Sequence, residues 1–228
     1  MGLNIVKGNM YREILGRNLT HTWNPIKGKC AFDCSYCYMK KWGELKAPRL
    51  DESEFKTDLG SDNFIFVGSS IDMWHENIPE EWIKSTMNYI NKFPDNKYLF
   101  QSKAPNMFVW WYYNYPESLK NNIIFATTIE SNRHYPNISK APHPVTRMGG
   151  IRKLHSQGFK TMVTVEPVLD FDLDDFIGML KYTLADQINI GAVTGGHKLP
   201  EPSKNKLQAL IEALKPHLKS NIKRLLYG

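Results

Sequence analysis

Short runs rich in β-branched and aromatic residues recur along the chain, at Leu19 to Trp23, Phe64 to Val67, Tyr98 to Gln101, Ile123 to Thr128, Thr161 to Val165 and Ile188 to Val193. Between them the apolar positions fall into helical spacing. Pro79-Glu80-Glu81 is a helix start, with proline first and acids in the first turn, and Trp82, Met87 and Ile90 follow on roughly one face. Further helices are predicted from about Tyr38 to Leu45, Pro105 to Tyr113, Val145 to Gln157, Leu173 to Leu184 and Ser203 to Lys215. In the last, Leu207, Leu210, Ile211 and Leu214 repeat at i, i+3, i+4 and i+7 with lysines opposite, and Pro216 ends or kinks it.

Strands alternating with helices imply right-handed β-α-β crossovers and a parallel sheet of about six units. Such a sheet is either doubly wound or an incomplete (β/α) barrel, and in both the active site lies at the C-terminal ends of the strands. No linker or low-complexity tract interrupts the pattern. A single domain is expected over 1–228, with an N-terminal extension (1–18), a core (19–215) and a C-terminal tail (216–228).

Composition adds bounds. The chain has 228 residues, 42% hydrophobic and 23% charged, which excludes a disordered or fibrous protein. No segment approaches the roughly 20 apolar residues of a membrane span, and the N-terminus lacks a secretory signal, so no membrane association and a cytoplasmic location are expected. A net charge of +6 permits an anionic partner without requiring one.

The 3 cysteines change the picture most. All fall in one stretch just past the first predicted strand: Cys30, Cys34 and Cys37, in the pattern C-x-x-x-C-x-x-C. Three thiolates on one compact loop can hold three irons of a [4Fe-4S] cluster and leave the fourth iron open to a substrate or cofactor. Zinc is the alternative, but a structural zinc site needs four ligands, and no nearby Cys or His completes a familiar spacing.

With Tyr36 in the aromatic position, this stretch resembles the signature of the radical S-adenosylmethionine (SAM) superfamily, C-x-x-x-C-x-aromatic-C after the first strand of a partial (β/α)6 barrel. The resemblance implies that fold, a [4Fe-4S] cluster on the three cysteines, and SAM chelated by the open iron. It also implies reductive cleavage of SAM to a 5′-deoxyadenosyl radical, which takes hydrogen from a substrate carbon, and an external one-electron reductant of the flavodoxin or ferredoxin kind. A narrower resemblance, to a family of phage and prophage proteins, rests on Thr22-Trp23-Asn24-Pro25, Asp72-Met73-Trp74-His75-Glu76, Thr128-Ile129-Glu130-Ser131-Asn132, Val165-Glu166-Pro167 and Gly195-Gly196. Many of its members have a longer stretch between the first two cysteines. The C-x-Tyr-Cys-Tyr element is locally similar to that of spore photoproduct lyase, a DNA-repair radical SAM enzyme.

The other strand ends supply candidate contacts. Gly68-Ser69-Ser70 stands where the superfamily binds the SAM amino group, or is an ordinary Gly-Ser turn. Asp72, Trp74 and His75 are candidate substrate contacts, with Trp74 stacking on a base or ring, or belong to a surface loop. Lys103 offers a cation to substrate. Thr128, Glu130, Ser131, Asn132 and Arg133 form a polar run, in which Ser131 or Asn132 is placed to bond the SAM ribose and Arg133 its carboxylate. A Glu130–Arg133 salt bridge across the mouth is the structural alternative. Glu166 offers a carboxylate to a ribose or ammonium. Gly195 permits adenosine to pack on backbone, and His197 binds substrate or is merely exposed.

With every thiol committed to one centre, cysteine-held auxiliary clusters and a cysteine hydrogen donor are excluded. The leading expectation is a radical SAM enzyme acting on a nucleobase or nucleotide of DNA or RNA, in modification or repair. Its alternatives are the same chemistry on a peptide or small metabolite, and a non-catalytic metal module that binds nucleic acid.

Overall fold

The computed structural model describes residues 3–6, 13–111 and 117–215. Residues 1–2 and 7–12 of the expected 1–18 extension, the end of the 105–113 helix, Pro216 and the 216–228 tail lie outside them. The described strands are β1 (Asn4–Ile5), β2 (His21–Trp23), β3 (Ile26–Lys27), β4 (Arg49–Leu50), β5 (Phe64–Val67), β6 (Lys97–Gln101), β7 (Ile123–Thr128), β8 (Lys160–Val165) and β9 (Gln187–Ile190). The α-helices are α1 (Glu80–Ile90), α2 (Pro105–Trp111), α3 (Pro144–Ser156), α4 (Leu173–Tyr182) and α5 (Lys204–Leu214).

The main sheet has the order β1-β2-β5-β6-β7-β8-β9, and the six strands from β2 to β9 are all parallel. The order runs one way without reversing, so there is no topological switch point and the doubly wound alternative falls. The sheet is a partial (β/α)6 barrel with open edges. Side-chain alternation builds its two cores. Ile65, Val67, Tyr98, Phe100, Phe125 and Val163 face the outer helices, while Phe64, Phe66, Leu99, Ile124, Ala126 and Met162 face inward.

Two departures from the periodicity matter for the site. The first crossover has no α-helix. Tyr38–Trp42 forms a 3₁₀ turn, ended at Gly43 with φ of 86°, and a second one spans Glu52–Lys56. A short β3–β4 pair closes the loop between them, so the chain leaving β2 is free to carry the cysteines rather than a packed stripe.

The second departure is at the N-terminus. β1 adds an antiparallel edge strand to β2, and residues 13–19 cross beneath the barrel. There Ile14 and Leu19 bury themselves among the inward-facing side chains. Gln187, the first residue of β9, ties them down: its Oε1 accepts from Leu15 N at 2.7 Å and its Nε2 donates to Glu13 O at 3.1 Å. The lower end of the barrel is therefore filled.

Phe125 is fully buried among Phe100, Phe108 and Phe159. Phe125→Ala is expected to cost about 3–5 kcal/mol, read as a lower urea midpoint at unchanged slope.

Candidate functional site

The upper end of the barrel opens into a cavity of about 510 Å³ whose wall includes Cys30, Cys34 and Cys37. The loop that carries them is braced from both sides. Lys27 Nζ pairs with Asp51 at 2.8 Å and Glu54 at 2.7 Å, and Lys29 N donates to Lys46 O at 2.8 Å. Ser35 N donates to Ile138 O at 2.8 Å, which joins the loop to the segment after β7. Cys34 is buried, 3.2 Å from Ser139 Oγ, while Cys30 and Cys37 are half-buried. Burial, reinforced by the Asp72 carboxylate, pushes the Cys30 thiol up to about 12. Such a thiol keeps its proton until a cation takes its place.

The Thr-Trp-Asn-Pro stretch shapes this end of the barrel. Trp23 is buried and stacked on Tyr89 at 5.3 Å. Asn24 Oδ1 accepts from Ser70 N at 2.9 Å and Ser69 Oγ at 3.2 Å, fixing the segment after β5 in the cavity wall. Gly68 there has φ of 77°, and a Cβ would lie 2.8 Å from Met73 Sδ, so glycine is required. Ser70 Oγ is buried without a hydrogen-bond partner among the described residues. Tyr38, also in the wall, donates to Ser69 O at 2.8 Å.

Beneath the cysteines lies a buried charge network. Glu130, 5% exposed, is held by Arg147 Nη1 at 2.6 Å on one oxygen and by Lys103 Nζ and Tyr36 OH on the other. Lys103 Nζ also donates to Tyr36 OH at 2.6 Å, and Arg147 to Thr128 O at 2.6 Å. Burial opposes ionisation of Glu130, but Lys103 and Arg147 outweigh it and hold the carboxyl far below its ordinary value. Burial and the Glu130 charge raise the Tyr36 phenol, which stays protonated and donates. Asp72 Oδ2 accepts from Lys103 N at 2.7 Å and Oδ1 from Trp74 N at 3.1 Å. Burial pushes its carboxyl up to about 6.

Of the expected contacts, Tyr36, Gly68, Ser69, Ser70, Asp72, Lys103, Thr128 and Glu166 line the cavity with the cysteines. Glu166 makes no ion pair among the described residues, and desolvation by the cavity wall raises its pKa. Its side chain rests on Gly191, where a Cβ would come within 2.7 Å. The turn Ala192 to Thr194 completes that wall, and Gln101 bridges Thr128 at 2.9 Å and Thr164 at 3.2 Å below it.

Other expected contacts are placed elsewhere. Trp74 is 1% exposed and packs edge-on against Phe100 and Phe108, so it is core and presents no face to a base. His75 is buried against Phe32 outside the cavity, with Nδ1 accepting from Asn77 N at 3.2 Å. Glu130 belongs to the buried network instead of the wall, and its partners are Lys103 and Arg147 rather than Arg133. Arg133 turns away to Asp170 and Asp172. Ser131 bonds Asp170 O at 2.7 Å and Asn132 bonds Asp172 Oδ2 at 3.2 Å, so both brace a loop outside the cavity. Gly195 and His197 sit together beyond the wall, His197 Nε2 lying 3.3 Å from where a Gly195 Cβ would be.

Asn24, Tyr38, Gln101 and Arg147 take up positions at or beside the cavity that were not among the expected contacts. Asn24 and Tyr38 stand in motifs quoted above, Gln101 left no signal, and Arg147 left one: with Ile151 and Leu154 it falls at i, i+4 and i+7 on the inner stripe of α3, where a charge needs a buried partner.

No protein-family model matches the chain, and no curated protein does. Solved structures do share its fold. A spore photoproduct lyase with bound AdoMet and dinucleoside spore photoproduct superposes with a TM-score of 0.59 at 13% identity, over 90% of this chain and 63% of that one. Another spore photoproduct lyase structure gives 0.62 at 12% identity, over 97% and 67%. SuiB of Streptococcus suis bound to S-adenosylmethionine gives 0.54 at 9% identity, over 90% and 49%. The chain thus spans less than two thirds of the length of the first of these and about half of SuiB.

Glu130→Gln leaves the buried Arg147 and the half-buried Lys103 without their carboxylate and is expected to cost about 3–5 kcal/mol at neutral pH. The depressed Glu130 carboxyl contributes stability that is fully present above its ordinary value of 4.5 and is lost as pH falls below it. Urea unfolding of the two proteins from pH 7 down to 3 should show that acid loss shallower in Glu130→Gln.

Proposed function

We propose that the protein is a radical SAM enzyme whose Cys30, Cys34 and Cys37 hold a [4Fe-4S] cluster, and that its substrate is a nucleobase or nucleotide of DNA or RNA. The observation that carries the reading is that all three cysteines line one cavity at the C-terminal ends of the strands. Three thiolates suit a cubane cluster, in which each takes a different iron and the fourth stays open, whereas structural zinc asks for four ligands. The cavity also offers what a zwitterionic nucleoside cofactor needs: the unpartnered Ser70 hydroxyl, the unpaired Glu166 carboxylate and the close backbone of Gly68. When bound, the reduced cluster and SAM supply the radical chemistry.

The chain's own residues then bind, orient and exclude water. Asn24 fixes Ser69 and Ser70 against the cofactor's amino-acid end, Thr128 and Gln101 form a polar floor, and Glu166 is placed for a ribose or an ammonium. The filled lower barrel keeps water from entering beneath. An external one-electron donor of the flavodoxin or ferredoxin kind would deliver the electron that reduces the cluster. For the substrate, support comes from the dinucleoside lesion in the spore photoproduct lyase structure and from the net charge of +6.

Anaerobic reconstitution with iron and sulfide should give a brown protein that releases 5′-deoxyadenosine from SAM on reduction. Cys34→Ala should abolish both colour and cleavage. A colourless protein holding one zinc per chain would sink the reading. Arg133→Ala, remote from the cavity, should leave SAM affinity unchanged by isothermal titration, whereas Glu166→Gln should weaken it at least several-fold.

A further inference from the structure

Beside the cavity stands a surface that the radical chemistry does not use. The 3₁₀ turn Tyr38–Trp42 leads directly from Cys37, and its two aromatic residues reach solvent, Tyr38 at 46% and Trp42 at 77% exposure. Trp42 is the most exposed large hydrophobic side chain among the described residues. The stretch of sequence around it is rich in cations. The segment from Lys29 to Arg49 carries five (Lys29, Lys40, Lys41, Lys46 and Arg49) against two carboxylates, Asp33 and Glu44. Lys40 is neutralised by Asp33 at 2.9 Å, but Lys41, Lys46 and Arg49 make no ion pair among the described residues. Lys41 reaches the segment after β9, its Nζ 3.6 Å from where a Cβ on Gly195 would lie, so a positive charge stands beside that segment too.

We infer that this turn is a docking platform for single-stranded nucleic acid, with Trp42 stacking on an unpaired base and Lys41, Lys46 and Arg49 contacting the flanking phosphates. The inference rests on the nucleic-acid reading above and deepens it. An exposed indole between unpaired cations suits a strand whose bases are free to stack, and a duplex would keep those faces covered. Tyr38 lines the cavity and Trp42 stands outside it on the same turn. A base held on Trp42 would therefore place its neighbours in the strand at the cavity mouth. Charge alone would also suit an acidic electron-transfer protein, but such a partner has no use for an indole presented nearly bare.

The test is a fluorescence-anisotropy titration of the intact chain with a short labelled oligonucleotide, in deoxy and ribo form, single-stranded and as the duplex, over a range of salt. Expected are tighter binding of the single strand in at least one sugar form, quenching of Trp42 fluorescence and loss of affinity with salt. Trp42→Ala should weaken binding by about 5- to 100-fold, and Trp42→Phe should recover most of it. Lys41→Ala with Lys46→Ala should flatten the salt slope by about 1.4. Trp42 is solvent-exposed, so its variants should keep the circular dichroism of the parent. Equal binding of single strand and duplex would overturn the inference, and so would affinity indifferent to Trp42. It would equally fail if Trp42→Ala impaired only reduction by an acidic flavoprotein. The titration needs no turnover, so its outcome separates from that of the enzyme reading. A chain that grips strands through Trp42 yet never cleaves SAM upholds the platform alone, and one that cleaves SAM but binds no strand removes the platform alone.

Discussion

The ionised Glu130 carboxylate is the constraint on which the upper half of this molecule depends. It lies two residues past β7, and its partners come from three other places: Lys103 after β6, Arg147 on α3 and Tyr36 on the cysteine loop. A carboxylate removed from water costs several kcal/mol unless its lone pairs are met. Each partner is therefore obligatory, and meeting them fixes the relative placement of two strand ends, a helix and the cysteine loop. The cysteines are short side chains on a segment without regular structure. Their convergence is set by a charge network lying beneath them as much as by the loop itself.

A second layer of polar contacts works at the rim. Asn24 reaches from the end of β2 to the segment after β5, and Asp72 joins that segment to the backbone after β6. Neither need touch a ligand to matter, because each ties one wall of the cavity to the next. Adjacent strand ends are laced in this way from β2 round to β8, where Thr164 shares Gln101 with Thr128. The polarity at these strand ends is thus divided between side chains that face the cavity and side chains that hold the others still.

That division marks the limit of what the sequence reveals. The six parallel strands are legible because each is a short apolar run bounded by turn residues, and α1 and α5 because their stripes repeat at helical spacing. The three cysteines are legible because their spacing has few chemical uses. The polar residues after β7 are not. Glu130, Ser131, Asn132 and Arg133 are consecutive and equally polar, yet Glu130 points under the cavity while the other three brace the outside. That choice depends on Arg147, Asp170 and Asp172, which are distant in sequence. Trp74 is misleading for a related reason: a bulky residue within a polar loop suggests exposure, whereas here the loop folds back and spends the indole on the core beside Phe100 and Phe108. The N-terminal residues 13–19 lack any periodicity, since their role is to fill space.

That filling has a consequence for traffic. With Ile14 and Leu19 seated under the inward-facing side chains and Gln187 fastening residues 13–15 to β9, the described residues fill the barrel from below while the cavity opens on the cysteine side. On the proposed reading, electron donor, cofactor, spent fragments and substrate would all meet at that one face, so the order of arrivals and departures there would set the tempo of a full cycle.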